Sequence, residues 1–189
     1  MIHMQKCAGT AFAKSIIRRQ PDALYWGYDP EGELRSKAWA SIGLWKHSTA
    51  YEIYNAVPRK TWNAAYKVLV SARHPVERTL SHYAHYVHKH KLDMSLHTFI
   101  HSSHLSTIQQ YITSPDGAIL VDDIVMFDQL EEGLARVRKN TALPALELKI
   151  ENQNRKKTDI LSTTVLEQPD LRYLKSICRW ELNYFGWEA

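Results

Sequence analysis

Lys6, the small residues Cys7-Ala8-Gly9 and the hydroxyl of Thr10 are consecutive; the apolar positions Phe12, Ile16 and Ile17 follow. The order reads as a short strand, a tight loop and a helix. A loop with almost no side chain lets backbone N–H groups approach a ligand, and those groups together with a helix start favour an anion. Lys6 adds a point charge at the loop entrance. The chemistry is that of a phosphate or sulfate cradle. It is not a Walker A loop, because the G-x-x-x-x-G-K-(S/T) order is absent. A plain strand–turn–helix with a glycine in its turn is the competing reading of the same residues.

A second set begins at Arg73, which closes the apolar run Tyr66–Ala72. Arg78, Ser81 and His82 follow within one turn of each other on an expected helix. Ligands of open α/β sheets bind at the carboxyl ends of strands, so Arg73 and Ser81 can address one anion. His47 stands just before a helix start, where a lone histidine is ordinarily a surface residue. The histidines at 82, 85, 88, 90 and 97 lack the H-E-x-x-H spacing and any accompanying carboxylate motif, so no metal is expected.

The elements that must position these groups alternate. The opening strand and the helix after it end at Gln20-Pro21. Residues 21–45 carry aromatics without periodicity and read as irregular. Ser48 is the expected N-cap of a helix over Thr49–Ala56, with Glu52 near its positive end. Tyr66–Ala72 is the clearest strand, buried on both faces. A helix runs from about Val76 to His88 with Pro75 at its opening position. Met94–Tyr111 reads as one or two short helices, and strand character returns over Ala118–Val121 and Ile124–Phe127. A helix then opens at Asp128 with acidic residues first and basic ones last. Leu146–Ile150 alternates as a last strand. A polar basic loop over Glu151–Thr158 leads to a final helix from Pro169 through about Trp180 to Tyr184, which Gly186 stops. Strands alternating with helices imply an α/β fold with a mainly parallel sheet.

The bulk composition is that of an ordinary globular chain: 189 residues, 44% hydrophobic and 23% charged. One domain over 1–189 is the simplest expectation. No apolar run nears the roughly 18 residues of a membrane span, and Cys7 and Cys178 suggest neither a metal knuckle nor a disulfide framework. A cytoplasmic setting is expected, or a lumenal one if a natural N-terminal anchor precedes this stretch. The net charge of +4 suits an anionic ligand. The basic residues are spread rather than clustered, which argues against nucleic acid.

Taken together, these segments resemble the PAPS-dependent sulfotransferases, in particular the carbohydrate type with its heparan sulfate 2-O- and chondroitin relatives. PAPS is 3′-phosphoadenosine 5′-phosphosulfate. Gln5-Lys6-Cys7-Ala8-Gly9-Thr10-Ala11-Phe12 is similar to the family's 5′-phosphosulfate loop, P-K-(T/C/V)-(A/G)-(G/S)-T-(S/T)-F. Ser71–Tyr83 is similar to the 3′-phosphate motif R-D-P-x-x-R-x-x-S-x-Y. Val121–Leu130, Asn154-Arg155-Lys156 and Trp180–Trp187 resemble later segments, in the family's order. Gln5 stands in place of Pro, Ala11 in place of Ser or Thr, and His74 in place of Asp.

The resemblance implies a three-layer α/β/α fold of the P-loop nucleoside triphosphate hydrolase-like kind. It implies that Lys6, Cys7, Ala8, Gly9, Thr10 and Ala11 hold the donor's 5′-phosphosulfate. Arg73 and Ser81 would meet the 3′-phosphate, and Asn154, Arg155 and Lys156 would close over it. Lys6 and His47 become the catalytic pair: the cation at the leaving oxygen, and the base for an acceptor hydroxyl, expected on a sugar or glycan. Glu52 and then His82 are the reserve bases. PAPS is the donor, PAP the product, and no metal takes part. Two alternatives stay open: a non-catalytic nucleotide- or glycan-binding relative, and a small-molecule kinase on the same scaffold.

Overall fold

The computed structural model describes residues 1–7, 9, 12, 41–141 and 165–187. They divide into two units, Met1–Ala72 with Gln110–Glu151, and Arg73–Gln109 with Asn152–Ala189. The protein is mixed α/β with a three-stranded parallel sheet.

The first unit holds that sheet: β1 (Ile2–His3), β2 (Val68–Ala72) and β3 (Asp123–Met126), in that order and all parallel. Parallel neighbours need long crossovers, and the sequence separations between these strands supply them. Every residue of β2 is buried, as expected for a central strand covered on both faces. Ile2 and His3 pair with Leu69 and Val70, while Val68, Leu69 and Val70 pair with Asp123, Ile124 and Val125. The register slips between Val70 and Ala72, which lies opposite Met126. Phe12, Val68, Val70, Val125, Leu134 and Val137 form one hydrophobic core cluster of this unit.

Two helices follow the stretch that carries His47: α1 (Ala50–Ala56) and α2 (Arg59–Ala64). The cap of α1 differs from the expectation by one residue. Thr49, not Ser48, is the N-cap: its side chain accepts from the Glu52 N–H at 3.2 Å, and the Glu52 carboxylate accepts from the Thr49 N–H at 2.7 Å. This is a capping box, and it occupies the carboxylate held as a reserve base.

Among the described residues, the regular elements of the second unit are helices. Its longest element is α3 (Pro75–His90), with Pro75 in its first turn, as the sequence predicts. After it in the chain come α4 (Leu96–Ile100) and α5 (Ile108–Ile112), in the stretch 94–111 where one or two short helices are expected. Tyr83 on α3 and Leu96, Phe99 and Ile100 on α4 make one hydrophobic core cluster of the second unit.

Beyond α5 the strand character expected at Ala118–Val121 reduces to one antiparallel bridge between Thr113 and Ile119, because the turn ending at Gly117 (φ 86°) folds the chain back at once. After β3 and a 3-10 turn over Phe127–Gln129, α6 (Leu130–Asn140) packs on β3. Gly133 permits that approach, since a Cβ there would lie 2.6 Å from Val125 Cγ1.

The final helix is two helices, α7 (Gln168–Ile177) and α8 (Arg179–Phe185), broken at Cys178. Gly186 ends α8 in the left-handed region at φ 64°, the glycine stop read from the sequence. The strand expected at Leu146–Ile150 and the basic loop over 151–158 lie outside the described residues, as does most of the irregular segment over 21–45.

Candidate functional site

The loop after β1 is built from its neighbours. Met4 and Cys7 are buried, and Lys6 between them takes φ 62°, a left-handed conformation uncommon for a residue with a side chain. The turn at Lys6 is held from the side by Ser71 of β2. Ser71 N–H donates to the Cys7 carbonyl at 3.1 Å and Ser71 Oγ donates to the same oxygen at 2.7 Å. A polar residue inside an otherwise apolar, fully buried strand needs such a partner, and here the partner is the loop.

Gly9 is in helical backbone and is buried. The space where its Cβ would be is taken by the His3 ring, whose Cγ would lie 2.8 Å from such a Cβ. His3 is 5% exposed. Burial, and then the neighbouring charges of His47 and Lys46, push its pKa down to about 3, so the ring is neutral at physiological pH. The glycine is therefore required by an aromatic wall and not only by a turn.

His47 packs on that wall. Its ring centroid lies 4.7 Å from that of His3 and 5.0 Å from that of Trp45, edge-on to both. Its Nδ1 lies 2.9 Å from the His3 carbonyl oxygen. A carbonyl only accepts, so Nδ1 carries the proton and, in the neutral ring, the lone pair sits on Nε2. The turn that presents His47 is closed by Ser48: its N–H donates to the Trp45 carbonyl at 3.0 Å and its Oγ accepts from the Trp45 N–H at 3.0 Å. Gly9 and His47 are thus linked, and the Cys7 carbonyl is held, by two residues of the sheet, His3 and Ser71. The last two were not among the expected site residues. His3 was hidden by its place in a two-residue strand. Ser71 carried a signal in being the one hydroxyl within the buried strand Val68–Ala72.

Arg73 and Ser81 belong to the second unit. Arg73 follows β2 directly; its Nε donates to Glu77 Oε2 at 3.1 Å. Ser81 is half-buried on α3. Arg78, which the sequence places beside them, faces inward: its guanidinium grips Glu181 at 3.0 and 2.7 Å, and it also donates to the Arg73 and Ser106 carbonyls. His82 lies edge-on to Phe99, 5.2 Å between centroids, at the margin of the core. His74, standing where the resemblance wants Asp, is the N-cap of α3, and its ring lies 5.5 Å from that of Trp187. Ala8, Thr10, Ala11, Asn154, Arg155 and Lys156 lie outside the described residues.

Comparison of the chain with protein-family models, with curated proteins and with solved structures finds no match. Among the described residues no helix is long and apolar enough to cross a membrane. The site is therefore read from its own chemistry: a cation at the mouth of a small-residue loop, and an imidazole fixed in one tautomer beside that loop.

Proposed function

We propose that the protein is a PAPS-dependent sulfotransferase acting on an acceptor hydroxyl, with a sugar or glycan as the acceptor class. The observation that carries the proposal is His47. Its Nδ1–H is engaged by the His3 carbonyl, and the ring of that same His3 fills the space against Gly9. Base and anion loop are thereby joined within one unit through a single residue. The parallel sheet with its loop after β1 is compatible with a three-layer, P-loop-like sulfotransferase fold.

In this reading the 5′-phosphosulfate lies on Lys6 to Ala11, and the 3′-phosphate is the ligand of Arg73 and Ser81, with Asn154, Arg155 and Lys156 adding to it. His47 Nε2 takes the acceptor's proton. The acceptor oxygen forms a bond to sulfur as the bond from sulfur to the bridging phosphate oxygen breaks, and PAP leaves. Charge that develops on that bridging oxygen is met by Lys6, which is how an electrostatic contact lowers a barrier. A neutral imidazole is suited to the proton transfer near pH 7. The capping box of Glu52 and the packing of His82 leave His47 as the base that fits best.

The test is transfer of radiolabelled sulfate from PAPS to desulfated heparan and chondroitin chains, with PAP binding followed by calorimetry in magnesium-free buffer. Lys6→Ala should lower the rate by about 100–1000-fold. His47→Ala should lower it by roughly 100-fold or more and leave PAP affinity nearly unchanged. Near-normal turnover in a folded Lys6→Ala variant, or ATP bound in preference to PAP, would overturn the proposal.

A further inference from the structure

A cluster in the second unit has the composition of a metal centre. His97 on α4 and His101, the residue that ends α4, are four residues apart and share one face of the helix. Asp170 sits in the first turn of α7, which packs against α4. Asp170 Oδ1 lies 2.8 Å from His97 Nδ1 and 3.2 Å from His101 Nε2. One potential ligand atom from each of the three residues falls within 4.8 Å of the other two. The carboxylate side chain is 5% exposed, whereas the imidazoles are 68% and 39% exposed.

We propose that His97, His101 and Asp170 bind a divalent transition ion, with zinc as the ion the ligand set fits best. Imidazole nitrogen and carboxylate oxygen are zinc's ordinary non-thiolate ligands at about 2.0–2.1 Å, and tetrahedral geometry then sets ligand atoms roughly 3.3 Å apart. The two nitrogen–oxygen separations, 2.8 and 3.2 Å, both lie just below that value. The nitrogen–nitrogen edge is at most 4.8 Å, and the exposed imidazoles can turn to set it. Tyr173 stacks on His101 at 4.2 Å between centroids and limits the direction in which that ring turns. Three protein ligands leave one coordination position for water.

The sequence alone hid this arrangement. His97 was one of five histidines without a carboxylate motif, and Asp170 lies 73 residues further on. An ion here would staple α4 to α7 within the second unit. The competing account is a metal-free cluster, in which both rings donate to one buried oxygen and the pair of bonds is their whole role.

Zinc chloride is the probe, added to the full chain after chelator treatment and dialysis. Calorimetry gives stoichiometry, and cobalt substitution gives a visible spectrum that reports coordination number. Because the chain has ten histidines, the variants decide. His97→Gln removes a ligand from an exposed side chain and should leave the fold intact; Asp170→Asn keeps the shape of the buried group. The expected result is one zinc per chain with a four-coordinate cobalt spectrum. Affinity should fall in His97→Gln by more than the roughly 10–100-fold that losing an outer partner of a metal costs. Zinc should also raise the melting temperature of the parent chain and not that of His97→Gln. Binding of equal affinity in parent and His97→Gln, or no zinc bound at 100 μM, would overturn the proposal. Should Asp170→Asn fail to fold, His97→Gln alone settles the matter.

Discussion

Replacing Gly9 by Ala tests the wall on which the candidate site rests. A Cβ at position 9 falls inside the His3 ring, 2.8 Å from Cγ and closer still to Cδ2 and Nε2. An ordinary carbon–carbon contact is about 3.5–4.0 Å, so the ring must retreat by more than an ångström. His3 cannot swing into solvent, being 5% exposed and in contact with the His47 ring at 4.7 Å. Overpacking of this kind costs about 1–3 kcal/mol. For a chain of this length each kcal/mol lowers Tm by about 2–4 °C, so Gly9→Ala should melt about 2–12 °C below the parent. The cause is separable from helix propensity, which favours Ala over Gly and would raise stability by up to about 1 kcal/mol. His3→Ala removes the obstructing ring, so the double variant should be more stable than the sum of the two single losses allows. A coupling of about 0.5–3 kcal/mol is expected from a double-mutant cycle of thermal melts. Additivity within about 0.3–0.5 kcal/mol, or a Gly9→Ala variant as stable as the parent, would refute the contact between ring and loop.

The neutral, buried His3 sets a pH limit. Its folded pKa of about 3 lies below the ordinary imidazole value of 6.5, so the unfolded chain binds the extra proton. Stability should hold above about pH 6.5 and fall by about 1.4 kcal/mol per pH unit below it, towards pH 3; denaturant melts of parent and His3→Phe should diverge in that window, and parallel curves would count against the assignment. Glu181→Gln strands the Arg78 guanidinium, which Glu181 meets at 2.7 Å with a fully buried side chain, and should cost about 3–5 kcal/mol. The paired change Arg78→Met with Glu181→Leu should recover most of that loss in a chemical denaturation series. Arg73→Ala should weaken PAP much more than adenosine 5′-phosphosulfate, which lacks the 3′-phosphate; equal losses in calorimetry would show that Arg73 acts structurally, through Glu77.

How far each element could be read follows from the range of the forces that fix it. The central strand β2 and helix α3 were legible because their signals are local: a continuous apolar run, and a proline that pre-sets the first turn. The cap of α1 was legible but mis-set by one residue. Ser48 and Thr49 are both cap-forming types, and the deciding signal is the carboxylate three residues on, which pairs with Thr49. The break at Cys178 has no proline or glycine to announce it. Cys178 N–H still donates to the Leu174 carbonyl and its own carbonyl accepts from Leu182 N–H, so the hydrogen bonding runs through the bend. Arg78 was read beside Arg73 and Ser81 because it is near them in sequence. Its true partner, Glu181, is 103 residues away, and no spacing rule reaches that far.

The small residues and the lysine of the loop after β1 stand out in the sequence, while the supports of that loop do not. Small residues and a lysine are a local pattern, but the shape of the loop is imposed from β2. The pairing of β1 with β2 stops at His3 opposite Val70. One residue further along β2, Ser71 reaches past the end of that pairing and takes the Cys7 carbonyl with both its N–H and its hydroxyl. The loop is thus tied to the central strand twice, by Ser71 at Cys7 and by the sheet at His3. Between the ties, Lys6 adopts its left-handed backbone, and beyond them Gly9 rests on the His3 ring. His47 is fastened to the same His3 by backbone and by ring. A displacement of His3 must therefore move the loop and His47 together. That shared dependence is a physical reason to regard a strand residue with no reactive role as the part on which both halves of the proposed chemistry depend.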